Sequence, residues 1–406
     1  MRINIQKGMY SIIFGFMAII ILLLPNLGLL FSLVFILFVG IKRIGLYYSF
    51  FCLVLFYTAF ILATKTLTGE GNDYITYFYN IQDGTFPTWN ESKFDFLFWY
   101  IGSLVQGCIG SNNNALFFWI VNLISLLPFL YLSIYLWNNT DNDFAVKVIS
   151  MFFLVFIPSF SFWNLYGNYI RQAWSFTFTI GFMVAIIDRR YIFAIIFSFV
   201  ALTSHSTGVI FMLCGCMTFM SVKINIQKLA FFALIFCGLF TVLPLFNYLF
   251  SFLPVALKSK LDFYSTWSGA DFGKTAAIRL VVAFLYLYIV DCFLLKKEQK
   301  KLTIYNRLYL LFIIFMLMIA SVSFITKVVE RLYYPTFVIF FILASMQYFS
   351  FMRNLNPSSR VLLGVGTLSL GIPLLLYSFY SSLFYNPSFF NGDLTNFFLF
   401  NISVIL

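Results

Sequence analysis

The chain has 406 residues, of which 62% are hydrophobic and only 10% charged, with a mean hydropathy of +0.95. That leaves too few polar residues to cover a water-soluble globule of this size, so the chain reads as a polytopic membrane protein. The net charge of +11 would point to nucleic acid in a soluble protein. Here the basic residues lie in short links between apolar runs, as the positive-inside rule requires, and no nucleic-acid partner is expected.

In chain order, apolar runs occupy 9–24, 27–41, 44–64, 114–136, 148–166, 171–187, 191–204, 206–221, 229–250, 278–295, 308–325, 332–351 and 361–383. They predict an all-α polytopic bundle of about 12–14 transmembrane helices, a single transmembrane domain over residues 1–406. The first run follows Arg2 and Lys7 and resembles a signal peptide. It lacks a small-residue cleavage site and reads as a retained helix. Several runs fall short of the ~20 residues that cross a bilayer, and 191–221 reads as two short helices meeting near His205. The six cysteines sit in or beside apolar runs without zinc or redox spacing and read as packing residues. No internal repeat is evident, which counts against the repeat-built transporter folds.

With the N-terminus in the cytoplasm, Lys42-Arg43, Lys147, Arg189-Arg190, Lys223, Lys228, the 296–301 lysine cluster with Arg307, and Arg353 with Arg360 face inward. This arrangement requires that 94–110, with Gly102, Gly107 and Gly110, lie on the outer surface or re-enter rather than cross. Two longer loops then face outward, 65–110 and 251–277. The charges that do not anchor links gather on that side: Arg171, His205, Arg279 and Arg331.

His205, the only histidine, lies between Ser204 and Ser206 in an apolar stretch. A group that titrates near neutrality is costly there and marks a functional candidate, the alternative being a structural imidazole bonded to Ser204 or a helix carbonyl. In Asn168-Tyr169-Ile170-Arg171-Gln172, a guanidinium opens an apolar helix. Its planar fork suits a pair of phosphate or carboxylate oxygens, and the competing reading is an interfacial anchor. Glu330 and Arg331, followed by Tyr333 and Tyr334, fit a site or an ion pair within an aromatic belt. Arg279, with Lys258 and Lys260 upstream, handles an anion or anchors a helix. In Gly71-Asn72-Asp73-Tyr74-Ile75-Thr76-Tyr77, the carboxylate of Asp73 accepts from sugar hydroxyls while Tyr74 and Tyr77 stack on sugar rings, unless the segment is a solvated turn. Asp95 is one more acid, set in an aromatic segment. The chain lacks the Gly-x-x-x-x-Gly-Lys spacing of a phosphate-cradling loop, a histidine pair for zinc and a serine-triad signature, so no metal and no cofactor are expected.

The ordered set Gly71-x-Asp73-Tyr74-x-x-Tyr77, Phe94-Asp95-x-Leu97-Phe98, Ile170-Arg171-Gln172, His205-Ser206 and Glu330-Arg331 with Tyr333 and Tyr334 resembles the EpsG-like, Wzy-type polymerases of bacterial surface polysaccharides. The likeness runs from residue 71 to 334, and the family usually carries Glu where Asp95 stands. It implies a GT-C-like glycosyltransferase of the bacterial inner membrane, with its active site facing the periplasm. Such an enzyme joins undecaprenyl-diphosphate-linked oligosaccharide repeat units, as donor and acceptor, without metal or nucleotide, and works beside a Wzz-like chain-length regulator. In that reaction Arg171, Arg279 and Arg331 are expected to hold the diphosphate and stabilise its developing charge. His205 is expected to take the acceptor hydroxyl proton, with Asp73, Asp95 and Glu330 as rivals, or else to hydrogen-bond the phosphate, its imidazole kept neutral by the arginines. Tyr74 and Tyr77 fall to saccharide binding and Tyr334 to substrate binding. Two other readings share the substrate: a lipid-linked oligosaccharide flippase, which needs its cations in a central cavity between pseudo-repeated halves, and an O-antigen ligase, whose usual large periplasmic loop with a histidine is not evident.

Overall fold

Apolar runs with few polar interruptions satisfy every backbone N–H and C=O only as helix when lipid surrounds them. The computed structural model describes residues 24–65, 73–85, 96–110, 113–220, 225–242, 270–294, 302–321, 326–385 and 393–398, and it is all-α. Its helices are α1 (Pro25–Val39), α2 (Ile44–Ala63), α3 (Asp73–Gln82), α4 (Phe96–Ile109), α5 (Asn114–Asn139), α6 (Asn142–Phe156), α7 (Phe160–Gly167) and α8 (Ile170–Ile187). There follow α9 (Tyr191–Ser204), α10 (Thr207–Met217), α11 (Ile226–Val242), α12 (Ala270–Ile289), α13 (Thr303–Ser321), α14 (Thr326–Met352), α15 (Pro357–Tyr385) and α16 (Leu394–Phe398). Among the described residues, five helices are long and apolar enough to cross a bilayer: α2, α5, α8, α13 and the 329–352 stretch of α14. The bent pair α6–α7 makes a sixth if it counts as one span, and α1, α4, α9, α10 and α11 are apolar but shorter. The run at 9–24 lies outside the described residues.

Two sequence readings change. The run 148–166 is not one helix: Pro158 follows α6, the Ser159 side chain accepts the Phe162 N–H, and α7 departs at 82°. A proline cannot donate the next backbone bond, and the serine caps the new start. The first outward loop contains α3, so Asp73 and Tyr77 stand one turn apart on one helix face rather than in a turn. Segment 94–110 supplies α4, 14 residues long and packed on α3, α5 and α9.

Side-chain contacts order the bundle. Tyr47, early in α2, donates to the Ser133 carbonyl late in α5 (2.9 Å), and Trp119, early in α5, donates to the Phe56 carbonyl (3.1 Å), so these two helices are antiparallel. Trp174 donates to the Val121 carbonyl (3.2 Å) and Tyr131 to Asp188 (3.1 Å), so α8 runs parallel to α5. α14 begins beside the start of α8, where Gln172 bonds the Arg331 carbonyl. It ends beside α6, where Arg353 pairs with Asp141 at 2.7 Å. Lys147, Arg189, Arg190, Arg353 and Arg360 therefore share one end of the bundle, and Lys65, Asp73, Arg171, His205, Glu330 and Arg331 share the other. Asp141-Asn142-Asp143 has the Asp-x-Asp spacing of some metal sites, but it sits at the basic end, where Asp141 caps α6 and Asp143 pairs with Lys147 at 2.8 Å.

Helix α8 is the hub, buried along most of its length against α5, α9, α10 and α7. Gly181 admits this packing, since a Cβ there would stand 3.0 Å from both Pro128 and Phe197. At the α9–α10 junction a Cβ on Gly208 would fall 2.0 Å from the Ala201 carbonyl oxygen, so only glycine lets the two helices close into the hairpin that presents His205.

Candidate functional site

Burial in an apolar bundle makes every polar group at the non-basic end answer for its partners. Arg171 lies in the first turn of α8, and its guanidinium sits 4.9 Å from the ring centroids of both Tyr77 (α3) and Trp99 (α4). It also donates to the Tyr77 hydroxyl, which donates in turn to Asp73 Oδ2 at 3.3 Å. Tyr77 and Trp99 are 6% and 3% exposed and belong to an aromatic core with Phe98, Phe117, Phe118 and Trp174. Tyr77 is therefore closed to a sugar ring. Its faces and hydroxyl serve Arg171, which corrects the saccharide-stacking role read for it from sequence.

His205 caps α9 in an extended conformation, at the break before α10 and outside the membrane-spanning helices. Its Nδ1 accepts the Thr207 N–H at 3.1 Å and lies 2.8 Å from the Thr207 hydroxyl. A backbone N–H can only donate, so Nδ1 is unprotonated and the neutral ring carries its proton on Nε2. Burial, then the charges of Arg171 and Arg331, push its pKa from the usual 6.5 down to about 3. A ring so held is a neutral donor at Nε2, which favours the alternative in which His205 hydrogen-bonds a phosphate over the one in which it takes a proton. Ser204 is occupied elsewhere, donating to the Val200 carbonyl at 2.6 Å.

Glu330, in the first turns of α14, accepts the Tyr169 hydroxyl on Oε1 at 2.8 Å and a second hydrogen bond from Tyr334. The two tyrosine rings stack at 6.0 Å between centroids. Tyr334 is 1% exposed, so it fixes the carboxylate and does not meet a saccharide. Gln172 ties α8 to the Arg331 carbonyl, leaving the Arg331 side chain exposed beside His205.

Arg279 stands apart. It donates to Tyr333 from α12, and on a helix of 3.6 residues per turn positions 331 and 333 point to nearly opposite faces. Arg171, His205 and Arg331 are brought together, and the expected three-arginine cluster becomes two arginines with a histidine. Asp95, Lys258 and Lys260 lie outside the described residues, as does the side chain of Tyr74. Among the described residues no three His, Cys, Asp or Glu side chains gather into a metal-binding group.

Sequence reasoning missed Trp99 and Lys65. The Lys65 ammonium is buried beside the site, donating to the Gly167 carbonyl at 2.8 Å and to Asn168 Oδ1. The signal was present in the sequence: a lone cation closing an apolar run at the end where other basic residues are scarce.

No curated protein and no solved structure matches the chain significantly. The model of the EpsG family matches residues 47–382, from early in α2 to late in α15, and so takes in every side chain of the site. With a helical bundle, an arginine–histidine–carboxylate site at one end and a family match over most of its length, the chain belongs to the EpsG family, a family of Wzy-type O-antigen polymerase-like proteins.

Proposed function

We propose that the protein is a membrane glycosyltransferase that joins undecaprenyl-diphosphate-linked oligosaccharide repeat units into a surface polysaccharide at the periplasmic face of the inner membrane. The observation that carries this reading is the convergence of Arg171, Arg331 and a neutral His205 N–H donor at one end of the bundle. That end is opposite to Arg189, Arg190, Arg353 and Arg360, and the positive-inside rule turns it outward.

In the reaction the acceptor hydroxyl oxygen bonds to the anomeric carbon of the donor glycan while the bond from that carbon to the diphosphate oxygen breaks. The electron pair leaves with the diphosphate, and its added charge is met by Arg171, Arg331 and the Nε2–H of His205. The hydroxyl proton passes to Glu330, a half-buried carboxylate aimed by Tyr169 and Tyr334 and next in sequence to Arg331. Asp73, bonded through Tyr77 toward Arg171, anchors the cation and contributes a carboxylate to the saccharide side.

Purified protein in liposomes should lengthen lipid-linked repeat units without added nucleotide or metal, releasing one undecaprenyl diphosphate per linkage. In cells with a permeabilised outer membrane, an impermeant maleimide should label Thr85→Cys and spare Ser358→Cys in a variant free of native cysteines. Failure to elongate any lipid-linked unit removes the polymerase reading, and the reverse labelling removes the periplasmic assignment.

The tautomer of His205 gives a sharper expectation. His205→Gln, which keeps an N–H donor, should retain much of the elongation rate, with no change in its pH dependence between pH 5 and 8. His205→Ala should lose about 10²-fold, the usual cost of one preorganised donor. An acid limb centred near 6.5 in the wild type that vanishes in the Gln variant would show that the imidazole titrates and donates no fixed hydrogen bond.

A further inference from the structure

A lysine that is 3% exposed at the end of an apolar helix is costly unless its ammonium is fully engaged. Lys65 follows α2 directly, and its Nζ donates to the Gly167 carbonyl at 2.8 Å and to the Asn168 side chain. Both acceptors lie where α7 ends and turns into α8, three and four residues before Arg171. The side chain packs flat on that turn, since a Cβ on Gly167 would stand 3.5 Å from Lys65 Cδ and 3.7 Å from Nζ. The ammonium also lies within the electrostatic reach of Asp73 at the start of α3, the residue that Tyr77 links to Arg171.

Three segments thus lie at one buried charge: the end of α2, the start of α3 that soon follows it, and the α7–α8 turn, 102 residues further along the chain at Gly167. Resting on the polymerase reading above, we propose that Lys65 is a positioning residue for glycosyl transfer, its ammonium clamping the α7–α8 turn to α3 so that Arg171 and Asp73 hold their places. It touches no substrate and acts through these two groups. Among the described residues, the charged and titratable groups near it are Asp73 and Tyr77 on α3 and, beyond the turn, Tyr169 at the start of α8 and Arg171 within it. Burial lowers the pKa of Lys65 from 10.5 to about 7, against an opposing pull from Asp73. The clamp is therefore charged below about pH 7 and weakens as pH rises through that value, so elongation should show an alkaline limb there.

The test compares wild type, Lys65→Met and Lys65→Arg in the liposome elongation assay from pH 6 to 9.5, at matched membrane content. Lys65→Met should lose at least tenfold in turnover number at pH 6.5. Lys65→Arg, which keeps the charge and does not titrate, should retain a measurable rate and shift the alkaline limb upward by more than one pH unit. A purely structural lysine would leave the position of that limb unmoved, so an Arg variant with the wild-type limb overturns the proposal even if the Met variant misfolds. Wild-type rates in the Met variant overturn it too. A wild-type protein inactive at every pH would instead fault the polymerase reading itself.

Discussion

Glu330→Gln should lower the elongation rate by about 10²- to 10⁴-fold, the range a positioned proton acceptor contributes. Glutamine keeps the length of the side chain, and its amide oxygen can still accept the Tyr169 hydroxyl that now lies 2.8 Å from Oε1. Packing between α8 and α14 is thus preserved, and what disappears is the basic carboxylate to which the proposed mechanism passes the acceptor's proton. Lipid-linked donor should bind the variant as it binds the wild type, because the proposed mechanism gives the diphosphate to other residues. Initial rates with saturating donor and acceptor, together with a donor-binding measurement, separate the two effects. A Gln variant within threefold of wild type would move the base to Asp73, where Asp73→Asn is the next comparison.

Arg171→Ala should cost about 10²- to 10³-fold in elongation, as removal of one preorganised charge-stabilising donor does in other transfer reactions. The loss reaches beyond the guanidinium. Its aromatic bracket, Tyr77 and Trp99 at 4.9 Å on either contact, would face an empty volume, and the Tyr77–Asp73 bond would lose its neighbour. Lysine should not restore activity, because an ammonium offers neither the planar fork for two phosphate oxygens nor the flat face that lies against both rings. Both variants should still reach the membrane, since α8 is held by apolar packing along its whole length. Ladders of normal length from a polymerase-null strain carrying Arg171→Ala at matched expression would remove the diphosphate role from this residue.

Much of the bundle was legible because lipid leaves helix as the one local answer for an apolar run. The sequence readings of 44–64, 171–187 and 191–204 differ from α2, α8 and α9 by one residue at most. The short amphipathic α3 was not, since ten residues of modest hydropathy between Gly and Asn-rich flanks look like a turn until α4 and α5 pack on it. Among site residues, Arg171, His205, Glu330 and Arg331 stood out because charges are so scarce here that each misplaced one is visible. Their chemistry was less so. Which nitrogen of His205 carries the proton depends on the backbone N–H of Thr207, two residues on, and no composition or spacing reports that contact. Tyr77 looked like a sugar platform, and Tyr334 like a substrate contact, because aromatic residues in an outward segment often are. Only their burial against Arg171 and Glu330 shows them to be supports.

The α9–α10 hairpin carries a consequence for the surrounding lipid. α9 has 14 residues and starts just after Arg189 and Arg190. At 1.5 Å per residue it climbs about 21 Å, roughly 9 Å short of the ~30 Å hydrocarbon core. With the basic pair at the inner headgroups, His205 would then sit below the outer headgroup plane, at the bottom of a dent that a thinned or funnel-shaped leaflet must fill. If the proposed polymerase reading holds, a diphosphate drawn into that dent would shed water before it reached the arginines, and hydrophobic mismatch itself would strengthen the hydrogen bonds to the leaving group. Bilayer thickness would thereby become part of the environment of the proposed site.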